Sequence, residues 1–177
     1  DAREKLRAAK PEDKMAVFAV LMRLREICCD PRLIADNWEG GSAKLDACAE
    51  LVSSAVEGGH RILLFSQFTS MLELLAKRLD AGGISHFTLQ GSTPKPVRAE
   101  LVRRFNGGEV SVFLISLRAG GTGLNLTAAD IVIHYDPWWN VAAQNQATDR
   151  AYRIGQRNPV QVYKLIAQDT IEEKIVE

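Results

Sequence analysis

The stretch RILLFSQFTSMLELLAKRL, residues 61–79, predicts the repeating unit of the fold. Its first part, Ile62–Phe65, is a short and continuously apolar run, which is typical of a strand buried on both faces. Its second part, Thr69–Leu79, places apolar side chains at helical spacing, and Gly82-Gly83 supplies a stop signal. The stretch therefore predicts a strand followed by a helix that packs back on the sheet.

The same alternation of strands and helices extends along the rest of the chain. Strands are predicted at Ile84–Leu89, Val110–Ile115, Ile131–Tyr135 and Val160–Ile166, and helices at Met15–Cys29, Lys44–Val56, Val97–Phe105, Val141–Tyr152 and from about Thr170. This order predicts a three-layer α/β domain with a central, mostly parallel sheet flanked by helices. Periodicity alone does not distinguish one such fold from another.

Composition limits the class of protein. The chain has 177 residues, 46% of them hydrophobic, and its 22 basic and 22 acidic side chains give no net charge, so a stand-alone nucleic-acid binder is disfavoured. No apolar run approaches the ~20 residues that a membrane span requires. The cysteines Cys28, Cys29 and Cys48 lack metal-binding spacing, so we expect buried thiols and no metal site. Because the chain begins at Asp1 rather than Met, we expect it to be a fragment.

A stripe of polar side chains follows the fourth strand. In QATDRAYRIGQ, residues 146–156, a helix would place Gln146, Arg150 and Arg153 on one face, and Gly155 would end it. Two guanidinium groups one turn apart suit phosphate oxygens. The alternative is a solvated helix face that carries charge for solubility alone.

Three blocks in this half of the chain carry a family resemblance. RAGGTGLNL (118–126), DPWWN (136–140) and QATDRAYRIGQ (146–156) resemble, in this order and spacing, motifs V, Va and VI of the Swi/Snf family of superfamily-two helicase-like, DNA-dependent ATPases. The ending Arg-Ile-Gly-Gln favours this family over the DEAD-box RNA helicases, whose block usually ends Arg-Ile-Gly-Arg. The resemblance implies a RecA-like fold. It divides the chain into an N-terminal helical connector, residues 1–43, and a C-terminal RecA-like lobe, residues 44–177, that contains motifs IV to VI and is truncated at its C-terminal end.

The resemblance also implies a catalytic role that needs a second lobe. Arg150 and Arg153 would be arginine fingers for ATP bound on a first lobe, which would also hold Mg²⁺. The residues implied to face the nucleotide are Gln146, Gly121, Thr122, Gly123, Leu124 and Asn125. The chain contains no G-x-x-x-x-G-K-[ST] motif and no Asp-Glu pair, so we expect it to be inactive alone. Without the resemblance, Gly120–Gly123 is simply a tight turn into a helix.

Further segments are implied to contact DNA. FSQF, residues 65–68, resembles motif IV, and QGST, residues 90–93, resembles another backbone-contacting segment. The implied DNA-contacting residues are Ser66, Gln67, Gly91, Ser92, Ser116 and Arg118. As sequence alone, Ser66 or Thr69 could instead cap a helix, and residues 90–93 could be a turn.

The block after the fourth strand is implied to couple DNA binding to ATP hydrolysis through Trp138, Trp139 and Asn140. The alternative is that the adjacent tryptophans anchor a core or an interface. The block departs modestly from the family, because Val141 stands where Pro is common. Gln144 and Asn145 also replace a usual acidic pair, and Tyr152 replaces a usual His.

The expected function is that of the second motor lobe of a Swi/Snf-type translocase on double-stranded DNA. Expected partners are the first RecA-like lobe of the same polypeptide, double-stranded DNA and a DNA-bound protein complex, with no membrane. The location would be the bacterial nucleoid or the eukaryotic nucleus. Two rivals stay open: the corresponding lobe of a strand-separating helicase, and a non-catalytic α/β module that binds a nucleotide or a protein.

Overall fold

The structure is a computed structural model that describes residues 10–120, 124–149 and 159–176. The helices are α1 (Pro11–Cys29), α2 (Ala43–Glu57), α3 (Thr69–Ala81), α4 (Lys95–Asn106), α5 (Leu117–Gly120), α6 (Val141–Thr148) and α7 (Ile171–Val176), and the strands are β1 (Ile62–Ser66), β2 (His86–Leu89), β3 (Val112–Ser116), β4 (Ile131–His134) and β5 (Gln161–Lys164). The predicted alternation of strands and helices is therefore confirmed.

The strands form one five-stranded sheet in the order β2-β3-β1-β4-β5. Every neighbouring pair is parallel, with β1 at the centre between β3 and β4. All side chains of β1, β3 and β4 are buried, whereas those of β5 are mostly exposed. The predicted apolar strands are thus the inner ones, and the edge strands are more polar because only one neighbour pairs with them.

Side chains of β1 alternate between two hydrophobic cores. Ile62 and Leu64 point to the core beneath α2 and α3, while Leu63 and Phe65 point to the opposite core, which includes Phe105 of α4. Successive side chains of a strand point to opposite faces, so a continuously apolar strand fills both cores at once. The predicted three-layer α/β architecture is confirmed.

Capping residues set several helix ends. The Ser42 hydroxyl accepts a hydrogen bond from Leu45 N at 3.3 Å and so caps α2. At the ends of α2 and α3, Gly59 and Gly83 have φ values of 79° and 67°, a backbone conformation that favours glycine. These turns lead the chain from each helix into the next strand.

Some predicted boundaries were wrong, each for a local reason. The amide of Ile84 donates to Leu79 O at 3.0 Å to close the end of α3, so β2 begins only at His86. The last strand is shorter than Val160–Ile166 because β4, its only partner, has four residues. Helix α1 begins at Pro11 rather than at the predicted Met15, because proline suits the first position of a helix.

The described residues contain no helix with the length and apolar content needed to cross a bilayer. Within the same ranges, no three His, Cys, Asp or Glu side chains lie together as a metal site would require. Cys28, Cys29 and Cys48 are free thiols, and the last two are buried.

Candidate functional site

The strand order creates a crevice at the carboxyl ends of β1 and β4. After β1 the chain moves towards β3 and β2, whereas after β4 it moves the other way, towards β5. In open parallel sheets, ligands bind in the crevice between two neighbouring strands whose following connections run in opposite directions. The segments Gln67–Phe68 and Asp136–Trp139 meet at this point, since Tyr135 N donates to Phe65 O at 2.9 Å immediately before them.

A cleft of about 600 Å³ opens beside this crevice, along the carboxyl ends of β1, β2 and β3. It is lined by Met22, Glu26, Gln67, Phe68, Thr69, Ser70, Gln90, Gly91, Ser92, Ser116, Arg118 and Trp138. Five of the six residues implied to contact DNA are among them, although they come from three separate loops. The structure brings these residues together because parallel strands end at the same edge of the sheet.

Ser66 is the exception among the six. It is fully buried, its hydroxyl donates to Asp136 Oδ1 at 2.5 Å, and it accepts from Phe68 N at 3.1 Å. The hydroxyl therefore supports the loop from inside and does not face the cleft. Gln67, which lines the cleft, donates from Nε2 to Asp136 Oδ2 at 2.6 Å.

Asp136 is a site residue that the sequence analysis placed in a motif without assigning it a role. Its two oxygens accept from Ser66 and Gln67 and so join the loop after β1 to the loop after β4. Burial raises the pKa of this carboxyl above its usual 3.8, while the hydrogen bonds from Ser66 and Gln67 act in the opposite direction. A useful signal was available, because an acidic residue directly follows a continuously apolar strand.

Arg25 of α1 is a second residue that sequence analysis missed. It is only 3% exposed, and its Nη2 donates to Pro137 O at 2.7 Å. The guanidinium also lies 5.9 Å from the ring centroid of Phe68 and 5.4 Å from that of Trp139. Burial lowers the pKa of Arg25, and Asp136 acts against that shift. Arg25 therefore fastens α1 to both loops of the crevice, a contact between residues far apart in sequence.

The two tryptophans have different environments. Trp138 is half-buried, packs against the core that contains Phe105 and also lines the cleft. Trp139 is 45% exposed and lies against Arg25. Asn140 is exposed, and its carbonyl accepts from Gln144 N at 3.2 Å at the start of α6. Trp138 thus packs as the anchoring alternative predicts, while Trp139 is exposed and lies with Leu21 of α1 and Ile171 of α7 around a separate pocket.

The loop that carries Gly91 and Ser92 is held by Arg98. Its Nε donates to Thr93 O at 2.6 Å, and its Nη2 donates to Gly91 O at 2.7 Å. Both Gly91 and Ser92 are exposed. The turn interpretation of residues 90–93 is compatible with this geometry, because Gln90 N donates to Thr93 Oγ1 at 3.0 Å.

On the β3 side, Ser116 is buried and accepts from Ala119 N at 3.3 Å, which places the short α5 directly after the strand. The sequence analysis did not predict α5. Arg118 projects from it as an exposed side chain at the cleft. Its guanidinium is therefore available to an anion.

The residues implied to face a nucleotide are only partly described. Leu124 is buried in a core, Asn125 is exposed, and Gln146 is exposed on α6. Gly121, Thr122, Gly123, Arg150 and Arg153 lie outside the described residues, as does Tyr152. The described polar groups suit hydrogen bonding to phosphate or ribose, but no carboxylate cluster among them could hold Mg²⁺.

Comparison with known proteins identifies related chains. The family described as helicase conserved C-terminal domain matches residues 43–155. An uncharacterized ATP-dependent helicase of Mycoplasma pneumoniae is 39% identical over 176 residues, which cover 97% of this chain and 17% of that protein. The mouse SWI/SNF-related matrix-associated actin-dependent regulator of chromatin subfamily A member 1 is 41% identical over 179 residues, with 93% and 17% coverage.

A solved structure agrees with these relatives. The C-terminal part of the Fun30 ATPase domain matches with a TM-score of 0.74 and 34% identity, over 88% of this chain and 53% of that one. The chain spans about 17% of the length of the curated relatives named above.

Proposed function

The chain belongs to the helicase conserved C-terminal domain family, as a C-terminal RecA-like lobe of the Swi/Snf type, and we propose that it is the second motor lobe of an ATP-dependent translocase on double-stranded DNA. In this proposal ATP binding and hydrolysis close and open two lobes across a DNA groove. This lobe binds the backbone of one DNA strand during the cycle.

One observation carries the proposal: the shared cleft at the carboxyl edge of the sheet. Gln67, Ser92 and Ser116, which carry amide or hydroxyl side chains, line it together with Arg118. Such donors bind phosphate oxygens and do not distinguish bases. A lobe with this lining would hold the backbone of any DNA sequence, which suits a translocase.

The catalytic part of the proposal concerns Arg150 and Arg153. Both follow α6, on which Gln146 is exposed. We assign them as arginine fingers that neutralise the charge developing on the terminal phosphate of ATP, with Gln146 orienting the neighbouring groups. ATP and Mg²⁺ would be held mainly by the first lobe.

The proposed partner in the same polypeptide is that first lobe, and the connector, residues 1–43, would lead from it into this lobe. Exposed apolar side chains on α1 support this, since a large exposed apolar patch commonly marks an interface. They are Met15, Val17, Phe18, Val20, Leu24 and Ile27. Double-stranded DNA, and a protein complex bound to it, are the further partners, in the nucleoid of a bacterium or the nucleus of a eukaryote.

Substitution of Arg118 tests the DNA cleft. In the two-lobed parent protein, Arg118→Ala is expected to weaken duplex binding and to lower the slope of log affinity against log salt by about one, because one phosphate contact is lost. Binding is measured by fluorescence anisotropy at several salt concentrations. The control is Lys77→Ala, which removes an exposed cation from α3 away from the cleft lining. Equal binding by both variants would contradict the proposal.

Substitution of Arg153 tests the catalytic role separately. Arg153→Ala is expected to keep duplex binding but to lose DNA-stimulated ATP turnover by roughly a thousandfold or more. Arg150→Ala is measured alongside, with thermal unfolding as the check on folding. Unchanged turnover in both variants would mean that the two arginines form only a charged surface, and it would favour the non-catalytic binding module.

An unwinding assay on the parent protein distinguishes a translocase, which leaves the duplex paired, from a strand-separating helicase.

A further inference from the structure

Helix α1 forms one wall of the cleft, although it lies outside the matched family region, residues 43–155. Met22 and Glu26 are one helical turn apart and both face the cleft. The sequence predicted a helix here, Met15–Cys29, and no role for either residue.

Glu26 changes the charge of the cleft. Of the twelve described residues that line it, only Glu26 and Arg118 carry a formal charge, so the lining is electrically neutral. Sites for nucleic-acid backbones are usually rich in positive charge. A carboxylate at this position repels phosphate and offsets the attraction of Arg118.

No contact among the described residues neutralises the charge of Glu26. Within the described part of the chain, its carboxylate has no hydrogen-bond or ion-pair partner. Glu26 also lies in the last turn of α1, which contains no basic side chain. The helix macrodipole disfavours negative charge at this end. A charged residue at a cleft that breaks a local rule without an evident compensation is a candidate for a functional role.

The position of Glu26 is firmly set by its neighbours. The adjacent Arg25 is anchored to Pro137 O, and the Glu26 carbonyl accepts from Asp30 N at 2.9 Å. Cys29, in the same turn, is fully buried, and its carbonyl accepts from the Tyr135 hydroxyl at 2.9 Å. The backbone of Glu26 therefore has a fixed place in the cleft wall, and its side chain lines the cleft from there.

We propose that Glu26 sets the affinity of the cleft for the DNA backbone: its charge opposes that of Arg118, so the lobe holds phosphate weakly and releases it readily. This inference rests on the proposed function, because it assumes that a DNA backbone enters the cleft. Weak holding suits a lobe that must release and rebind DNA in every cycle.

The test compares Glu26→Gln with Glu50→Gln in the two-lobed parent protein. Glu50 is an exposed glutamate on α2 that does not line the cleft, so its substitution removes the same charge elsewhere. The probe is a blunt DNA duplex of mixed sequence. Two quantities are measured at low and high salt: its dissociation constant and the duplex concentration that gives half-maximal ATP turnover.

We expect Glu26→Gln to lower both quantities roughly threefold to tenfold at low salt, and less at high salt, because screening weakens the repulsion. Maximal turnover should not increase, and the midpoint of thermal unfolding should not decrease. Glu50→Gln should change neither quantity. Unchanged or weaker DNA binding by Glu26→Gln would overturn the inference, and so would an equal gain in Glu50→Gln.

Arg118→Ala is measured in the same series. It shows whether a negative result concerns only the role of Glu26 or the proposed DNA cleft as a whole. If Arg118→Ala weakens binding while Glu26→Gln changes nothing, the cleft binds DNA and only the role of Glu26 is wrong. If neither substitution changes binding, the cleft is not the DNA site, and both proposals fail.

Discussion

At the scale of single residues, Asp136 is the polar centre of the crevice. It accepts three hydrogen bonds from Ser66 and Gln67 while being 1% exposed. Both carboxylate oxygens act as acceptors, so the ionised group matches its donors better than an amide would. The residue makes the loops after β1 and β4 one unit.

Asp136→Asn should therefore destabilise the protein although it preserves the side-chain volume. An amide NH₂ replaces one acceptor and leaves a buried donor without a partner, so we expect a loss of about 2 kcal/mol in the free energy of unfolding. Urea denaturation at pH 7 measures it. The control is Asp46→Asn, an exposed carboxylate paired with Arg78 at 3.4 Å, which should cost much less. Equal losses would contradict the assigned network.

His134 predicts a pH dependence. It is 1% exposed, its Nε2 lies 2.9 Å from Thr148 Oγ1, and its Nδ1 has no partner in the described part of the chain. Burial lowers the pKa of His134 from its ordinary 6.5 to about 4, and Lys164 adds to the shift. Between these pH values the unfolded chain binds more protons than the folded one.

The stability contribution of neutral His134 is thus complete above pH 6.5 and is lost as the pH falls towards 4, by at most roughly 3 kcal/mol. The raised pKa of Asp136 acts in the opposite direction, so the measured quantity is the difference in unfolding free energy between wild type and His134→Gln. Asp136 is common to both proteins. Between pH 7 and pH 4, the wild type should lose up to roughly 3 kcal/mol more unfolding free energy than His134→Gln. A constant difference would refute the prediction.

At the scale of elements, a buried ion pair joins α2 to α7. Lys44 Nζ lies 2.7 and 2.6 Å from the two carboxylate oxygens of Glu172, and the side chains are 9% and 1% exposed. Glu172 also accepts from Ala167 N, and Lys44 lies 5.2 Å from the centroid of the Tyr135 ring. The pair holds the last described helix against the core.

Removing one member of this pair should destabilise the protein more than removing both. Glu172→Leu leaves a buried ammonium without its counterion, with an expected loss of about 3 kcal/mol in the free energy of unfolding, whereas the double variant Lys44→Met, Glu172→Leu should lose less than this single variant. Urea denaturation of the singles and the double gives the coupling energy. As a control, Glu100→Gln breaks an exposed pair with Arg103 and should leave the denaturation midpoint unchanged. Additive losses in the double variant would argue against a coupled pair.

At the scale of the whole molecule, the proposed function depends on residues that meet only at one edge of the sheet. Loops after β1, β2, β3 and β4 all contribute to the cleft. Helix α1, which precedes the matched family region in sequence, forms a further wall. Because the strands are parallel, every loop at this edge follows a carboxyl end. The arrangement places polar groups from distant parts of the chain in one cleft while two apolar cores lie below it.

Much of this could be predicted from local patterns. Continuous apolar runs such as Ile62–Phe65 and helical spacing in Thr69–Leu79 predicted the inner strands and the helices, because burial on both faces and amphipathic packing leave direct signals in sequence. The ends of the edge strands were predicted less well, because the length of an edge strand depends on its one partner, as the length of β5 depends on β4. The family resemblance implied six DNA-contacting residues, five of which line the cleft, and their contact with DNA stays a prediction.

The sequence by itself determined the α/β class, the family and the residue types available to the cleft, because these follow from periodicity and from short motifs. Only the tertiary structure decided that Ser66 points inward to Asp136, that Arg25 fastens α1 to Pro137, and that Glu26 shares the cleft with Arg118. The physical reason is distance along the chain. Arg25 and Pro137 are 112 residues apart, and no local pattern records a contact that exists only after the sheet has brought its strand ends together.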